Sequence, residues 1–147
     1  MRCAVLVFVM LALTGCGGGN RGGSPVELVA PKGYTGMVWL VLDPNGEDIR
    51  LVDGQYRITI PASGVLRVRS LQPMEQWHAF SARYDDGTPI PSDDGKGIAP
   101  EVVAIRGRWS GASKQGGRDY QYHKVFVGTA AERKLMPDRQ DIPGIDK

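Results

Sequence analysis

Histidines and paired carboxylates are the residues of this chain best suited to metal or acid–base chemistry. The histidines are His78 and His123, and the acidic pairs are Asp85-Asp86 and Asp93-Asp94. The histidines show no H-x-x-x-H or H-x-H spacing, and a zinc site would need a third ligand. The stretch DDGKG lacks the alternating oxygen ligands and closing glutamate of a calcium loop, which favours a solvated turn. The sequence therefore predicts no metal and no cofactor, although distant strands can bring two histidines together.

Activated nucleophiles are also missing from the sequence pattern. There is no G-x-S-x-G motif, and Ser63 lies in the turn-forming stretch PASG. Lys114 lies in GASKQGG, which does not follow the order of a phosphate-binding P-loop. We therefore expect a protein that is not an enzyme. The alternative is an envelope hydrolase whose catalytic carboxylates lie in the loops around Asp86, Asp93 or Glu101.

Arginines form a regular polar pattern on two consecutive segments. In the alternating segments 55–60 and 65–70, the polar side carries Arg57, Arg67 and Arg69. If the two segments form a hairpin through the PASG turn, the three guanidinium groups project from one side of the sheet. Guanidinium is a planar fork that suits phosphate and carboxylate groups.

Two interpretations of this arginine pattern remain open. The nearby acids Glu47, Asp48 and Asp53 can neutralise the arginines, in which case the pattern only stabilises the fold. Alternatively, the face, joined by Arg50, meets an anionic envelope component such as lipopolysaccharide phosphate, an acidic polysaccharide or an acidic periplasmic protein. Like charges at cross-strand spacing repel unless an acid or a ligand compensates them.

The first residues predict export and lipid attachment. Met1 and Arg2 precede an uncharged apolar run of ten residues (AVLVFVMLAL), which reaches only about 15 Å as a helix, half of a bilayer core. This pattern is typical of a secretory signal peptide. The following LTGC resembles the bacterial lipobox, which implies a signal peptide over 1–15, a lipid on Cys16 and a membrane anchor at the mature N-terminus.

The segment 16–25 is a glycine-rich tether between that anchor and the rest of the chain. Its sequence CGGGNRGGSP carries no side chain able to build a core, and Gly/Ser-rich chains behave as flexible coils. In the bacterial lipoproteins that this segment resembles, an aspartate directly after the lipidated cysteine favours inner-membrane retention, and this chain has Gly17 at that position. We therefore expect a lipoprotein of the bacterial envelope, anchored in the outer membrane and facing the periplasm.

Length and charge exclude several classes of protein. A chain of 147 residues is typical of one domain, and a net charge of +2 predicts no binding to nucleic acid. Both cysteines, Cys3 and Cys16, lie near the N-terminus, which excludes a disulfide-stapled scaffold. We expect one domain over 26–136 and a flexible tail over 137–147.

Turn signals spaced by about 8–12 residues predict an all-β domain. We expect a single antiparallel β-sandwich, immunoglobulin-like or transthyretin-like, with one short C-terminal helix. The segment 37–42 is apolar throughout, as in a central strand covered on both faces. The capping-box pattern from Thr129 to Glu132 predicts where the helix begins, and Pro137 limits its length.

Several turn and strand motifs together resemble a known family. In chain order they are PKGYTG (31–36), DGQY (53–56), IPASGVL (60–66) and FVGT (126–129). They resemble a family of small bacterial envelope lipoproteins whose single β-rich domain has no assigned function. The resemblance spans nearly the whole mature domain and implies no catalytic residues. The pattern is also similar in architecture to transthyretin-like and carboxypeptidase-regulatory-like sandwiches.

The sequence therefore favours a lipid-anchored, non-enzymatic binding or structural module of the cell envelope. Besides the hydrolase, a further alternative is a subunit of a periplasmic complex that pairs a sheet edge with a strand of its partner. Such a subunit requires a long sheet edge without a neighbouring strand.

Overall fold

The computed structural model describes residues 22–76, 78–137 and 141–145. The predicted signal peptide (1–15), Cys16 and most of the tether lie outside the described residues. Nine strands and two helices occupy the described chain. The strands are β1 (Val26–Ala30), β2 (Gly36–Glu47), β3 (Arg50–Val52), β4 (Gln55–Thr59), β5 (Val65–Val68), β6 (Phe80–Tyr84), β7 (Pro89–Ile90), β8 (Ala104–Gln115) and β9 (Arg118–Gly128); the helices are α1 (Gln72–Glu75) and α2 (Ala130–Leu135).

The strands form two mixed sheets, so the predicted all-antiparallel arrangement is wrong. The five-stranded sheet has the order β3-β4-β1-β6-β7, and β1 runs parallel to both β4 and β6. The four-stranded sheet has the order β5-β2-β9-β8, and β2 runs parallel to β5. The chain crosses to the other sheet after every one or two strands. Neighbours within a sheet are therefore often reached by a crossover, which permits parallel pairing.

The predicted hairpin between 55–60 and 65–70 is also wrong. β4 belongs to the five-stranded sheet and β5 to the four-stranded sheet, so the PASG segment crosses between sheets. Ile58 of β4 and Val68 of β5 are both buried in one hydrophobic cluster. That cluster contains residues of both sheets, so the crossover places both side chains in the shared core, where their burial stabilises the fold.

The four-stranded sheet also buries apolar side chains on its other face. In β2, Val38 and Leu40 belong to the main cluster, whereas Trp39 and Val41 belong to a second cluster. The prediction of a strand covered on both faces is thus confirmed. Ile142, within the segment expected to be a flexible tail, is 1% exposed and packs in this second cluster. The chain at Ile142 is therefore part of the folded domain.

The predicted C-terminal helix is confirmed, including its capping box. The Glu132 amide donates to the Thr129 hydroxyl at 3.2 Å, and the Thr129 amide donates to the Glu132 carboxylate at 2.7 Å. The short helix α1 was not predicted. Neither helix in the described part of the chain is long and apolar enough to cross a membrane.

Candidate functional site

The three arginines predicted to share one face lie on different sheets. Arg57 belongs to β4 of the five-stranded sheet, whereas Arg67 belongs to β5 of the four-stranded sheet and Arg69 follows that strand. Each is paired with an acid; the three N···O distances are 2.9 Å for Arg57–Glu27, 3.0 Å for Arg67–Asp43 and 3.3 Å for Arg69–Asp48. The predicted common face is therefore wrong.

A different arginine cluster surrounds Glu27. Arg50 of β3 is the direct cross-strand partner of Arg57 in β4, and Arg57 is aligned with Glu27 of β1. The Glu27 carboxylate accepts hydrogen bonds from Arg57 Nε at 2.9 Å and from Arg83 Nε at 3.1 Å. Cross-strand partners project from the same side of a sheet. We call Arg50, Arg57, Arg83 and Glu27 the arginine face.

The arginine face points away from the protein core. Leu28 and Ile58 follow Glu27 and Arg57 in their strands and are buried in the main cluster. Because side chains alternate along a strand, Glu27 and Arg57 lie on the outer surface. The other outward positions of these strands carry uncharged side chains: Val29, Val52, Gln55, Thr59, Ser81 and Pro89. Three guanidinium groups therefore face one carboxylate.

Electrostatics leaves this face positive at neutral pH. Burial by itself would raise the pKa of Glu27, but the hydrogen bonds and charges of Arg83 and Arg57 outweigh it and lower the pKa. Glu27 is thus ionised and compensates one of the three cations. Arg50 has no carboxylate within salt-bridge distance among the residues described. The side chains of Arg57 and Arg83 remain 40% and 30% exposed, so solvent and ligands reach them.

A cavity of about 360 Å³ adjoins the arginine face between the β3–β4 pair and β5. Arg50 and Arg57 contribute to its wall together with two acids, Glu47 and Asp48, and apolar side chains form much of the remainder. The apolar lining residues are Ile49, Val52, Ile58, Leu66 and Val68. The apolar lining suits the apolar part of a ligand, whereas the adjoining arginine face, on the side away from Glu47 and Asp48, suits an anionic group.

A second polar site contains both histidines, which the sequence could not place together. His78 and His123 line one groove with Ser110 and Asp94. Ser110 Oγ lies 2.6 Å from His123 Nδ1, because the two residues are cross-strand partners in β8 and β9. Burial lowers the pKa of His123, an effect that the nearby His78 reinforces and Glu75 opposes. The imidazole is therefore neutral and able to accept a proton.

This serine–histidine pair resembles a nucleophile beside its base but lacks a third member. A catalytic triad requires a carboxylate that hydrogen-bonds to the histidine and fixes its orientation. Within the described chain, no carboxylate forms such a bond with His123. Ser110 was not predicted from the sequence, since only the register of β8 against β9 brings it to His123. The described residues also contain no group of three metal-binding side chains.

Two of the three loop acids predicted for a hydrolase are engaged in ion pairs, whereas Glu101 forms none within the described chain. Asp93 lies 2.7 Å from Arg106, and Asp86 lies 3.3 Å from Lys32. Hydrogen bonds from Thr88, followed by the effect of Lys32, lower the pKa of Asp86, whereas a general acid needs a raised pKa. This geometry favours structural roles for these two carboxylates.

Comparisons with known proteins give little further information. No family model matches the sequence, and no curated protein matches it. A similar solved structure is that of a "putative lipoprotein" from Bacillus anthracis, with a TM-score of 0.49 and 13% sequence identity; the match covers 82% of this chain and 86% of that chain. A TM-score below 0.5 does not establish a common fold, and the family suggested by the sequence motifs is not confirmed.

Proposed function

We propose that this protein is a lipid-anchored envelope protein that binds, without catalysis, an amphiphile bearing a phosphate group. The observation that carries this proposal is the arginine face, where Arg57 and Arg83 share the carboxylate of Glu27 and Arg50 lies opposite Arg57. Guanidinium groups recognise phosphate through charge-assisted, often bidentate hydrogen bonds. The adjoining cavity offers apolar surface for the remainder of such a ligand.

The position of the proposed anchor supports this choice of ligand. Cys16 precedes the first strand, β1, by ten residues, which reach at most about 35 Å when fully extended. Glu27 is the second residue of β1, so the arginine face lies on the sheet that the chain enters from the anchor. A face held this close to a bilayer meets lipid phosphate at high effective concentration. The outer membrane remains the proposed location.

Binding is best tested with a short-chain phosphatidic acid that stays monomeric in water. The protein is the mature chain, residues 16–147, carrying Cys16→Ser, which has neither lipid nor signal peptide, and binding is measured by calorimetry at low and high salt. We expect binding that weakens with salt and is absent for the matching phosphatidylcholine. Arg50→Glu should weaken it at least about tenfold, because it removes the uncompensated cation.

Arg118→Glu is the matched control, since it makes the same charge change on the other sheet. Equal losses in the two variants would mean that only the overall charge matters and would refute the arginine face. A titration with oligogalacturonate distinguishes an acidic polysaccharide, which carries carboxylates instead of phosphate. Binding of that polymer in preference to phosphatidic acid would overturn the proposed ligand class.

The anchor is tested separately from the binding face. In the native host, replacing residues 1–16 with a signal peptide that is cleaved without lipidation should move the protein from washed membranes to the soluble periplasmic fraction, with its melting temperature unchanged. Sucrose-gradient separation of the wild type then identifies the membrane. Recovery of the variant with membranes at the wild-type level would contradict the lipid anchor and would leave the calorimetric result intact.

A further inference from the structure

The long strand β8 has a neighbouring strand along one edge only. Its twelve residues, Ala104–Gln115, pair with β9, and β8 ends the strand order of the four-stranded sheet. At the start of β8, the chain itself covers the other edge: the Ile105 amide donates to Pro91 O at 2.8 Å, and the Asp93 amide donates to Ile105 O at 2.9 Å. From residue 108 to residue 115, no such backbone bond occurs within the described chain.

The turn at the end of β8 determines which backbone groups point outward. Gly116 and Gly117 have φ values of 54° and 77°, as in a two-residue type I′ turn. The residues flanking such a turn, Gln115 and Arg118, exchange backbone hydrogen bonds with each other. Alternation then directs the amide and carbonyl groups of every second residue away from β9. These outward residues are Arg108, Ser110, Ala112 and Lys114.

The bulge in β8 supports this assignment. Residues 106 and 107 both lie opposite Phe126, because Ile105 pairs with Val127 and Arg108 with Val125. The extra residue shifts the alternation by one position, which makes Ile105 an outward residue as well. Its bonds to Pro91 and Asp93 show that orientation directly.

The free edge lies in a basic part of the fold. Between residues 108 and 125 the charges are those of Arg108, Lys114, Arg118 and Lys124 against Asp119 alone. This hairpin therefore carries +3, of which Asp94, 3.8 Å from Arg108, offsets one charge. An added strand of acidic sequence would gain both backbone hydrogen bonds and charge complementarity.

A second copy of this chain fits the edge poorly. Two β8 strands paired antiparallel about the middle of the free stretch would bring Arg108 of one copy opposite or next to Lys114 of the other. Like charges directly opposite each other destabilise a strand pair. The exposed Lys114 and the bulge also follow the pattern by which proteins prevent pairing with their own copies.

We propose that the free edge of β8, residues 108–115, binds an extended acidic segment of a partner protein as an added strand. The outward amides and carbonyls of Arg108, Ser110, Ala112 and Lys114 form the backbone hydrogen bonds. The basic side chains of the β8–β9 hairpin select the acidic sequence. This edge belongs to the four-stranded sheet, whereas the arginine face belongs to the five-stranded sheet. Binding of a partner strand here does not depend on the phosphate ligand.

The probe is a blocked eight-residue peptide of alternating valine and glutamate, and its control alternates valine and lysine. Binding to the Cys16→Ser chain is measured by fluorescence anisotropy, together with amide hydrogen exchange. We expect only the acidic peptide to bind and to slow exchange at Ser110, Ala112 and Lys114. Binding of the lysine peptide at equal affinity would overturn the proposal.

Two variants at one position separate backbone pairing from side-chain effects. Ala112→Pro removes an outward amide without breaking a β8–β9 bond, a position where edge strands accept proline. It should weaken peptide binding at least about tenfold, whereas Ala112→Val should retain the wild-type affinity. Unchanged binding by the proline variant would refute strand addition.

Peptide chemistry provides the same test if Ala112→Pro fails to fold. Two forms of the valine–glutamate peptide are made. In one form, N-methyl groups replace the amide hydrogens along one edge of the extended peptide, and in the other form they replace those along the opposite edge. Wild-type protein should bind only one of the two methylated forms. Equal binding of both forms would refute the proposal, as would a dimer in sedimentation analysis that the acidic peptide does not dissociate.

Discussion

Arg50 and Arg57 lie directly opposite each other in the antiparallel pair of β3 and β4, and Arg57 alone of the two has a carboxylate beside it within the described chain. Two cations in this position repel each other. The fold therefore keeps an arrangement that costs stability on its surface. An anionic ligand that binds between the two guanidinium groups removes that cost, which is why this pair is central to the proposed binding face.

Arg50→Glu is expected to stabilise the fold while it weakens ligand binding. The new carboxylate faces Arg57 and replaces a repulsion with an attraction, a gain of roughly 0.2–1 kcal/mol. Urea unfolding of the wild type, Arg50→Gln and Arg50→Glu should give midpoints that rise in this order. A lower midpoint for Arg50→Glu than for Arg50→Gln would show that the cross-strand geometry is not as described.

Ile142→Ala is expected to destabilise the whole domain. Ile142 is 1% exposed and packs in the cluster of Trp39 and Val41, so truncation removes buried apolar contacts. Losses for buried isoleucine are about 2–5 kcal/mol, with the lower value expected for a cluster of this size. Urea unfolding monitored by tryptophan fluorescence measures this loss of stability, and Leu135→Ala, at an exposed position, is the control. Equal midpoints for the two variants would mean that Ile142 does not pack on the domain.

Gly64→Ala is expected to be strongly destabilising. Gly64 has a φ of 74°, and a methyl group there would overlap the Tyr34 hydroxyl and lie 2.8 Å from Met37 O. That hydroxyl donates a hydrogen bond to the same carbonyl at 2.8 Å, so the substitution disturbs a fixed contact as well as the backbone. Gly54→Ala, also at positive φ but with open space, controls for backbone strain. A thermal melt showing equal losses for both variants would contradict the steric argument.

His123 is expected to make the fold less stable as the pH falls. Because its pKa is lowered in the folded protein, the unfolded chain binds a proton first. The stability contributed by the neutral imidazole is therefore complete above its ordinary pKa of 6.5 and decreases below it. Urea midpoints at about pH 7.5 and about pH 5.5 should differ more for the wild type than for His123→Gln. A larger difference in urea midpoint for His123→Gln than for the wild type would contradict the lowered pKa of His123.

Local patterns in the sequence predicted individual elements well. The capping box located α2 because its two hydrogen bonds join residues only three positions apart. The continuous apolar run in β2 predicted burial on both faces, since hydrophobicity at successive positions reports both sides of a strand. The alternation predicted for β4 is also confirmed, because Arg57 is exposed to solvent and Ile58 is buried in the main cluster.

Strand partners could not be predicted from the same patterns. Alternation shows which side of β4 is polar but not that β1 lies beside it, thirty positions earlier in the chain. Arg57 was therefore assigned to a face with Arg67, while its real neighbours Arg50, Glu27 and Arg83 come from three other strands. The Ser110–His123 pair and the free edge of β8 depend on register and strand order in the same way.

The arginine face is tested most directly by NMR, through the side-chain Nε–Hε signals of the arginines during titration with the short-chain phosphatidic acid. The account predicts saturable shifts at Arg50, Arg57 and Arg83 with one common dissociation constant, while the Arg118 signal stays unchanged. Equal shifts at Arg118, or shifts at Arg67 and Arg69 without any at Arg50, would contradict it.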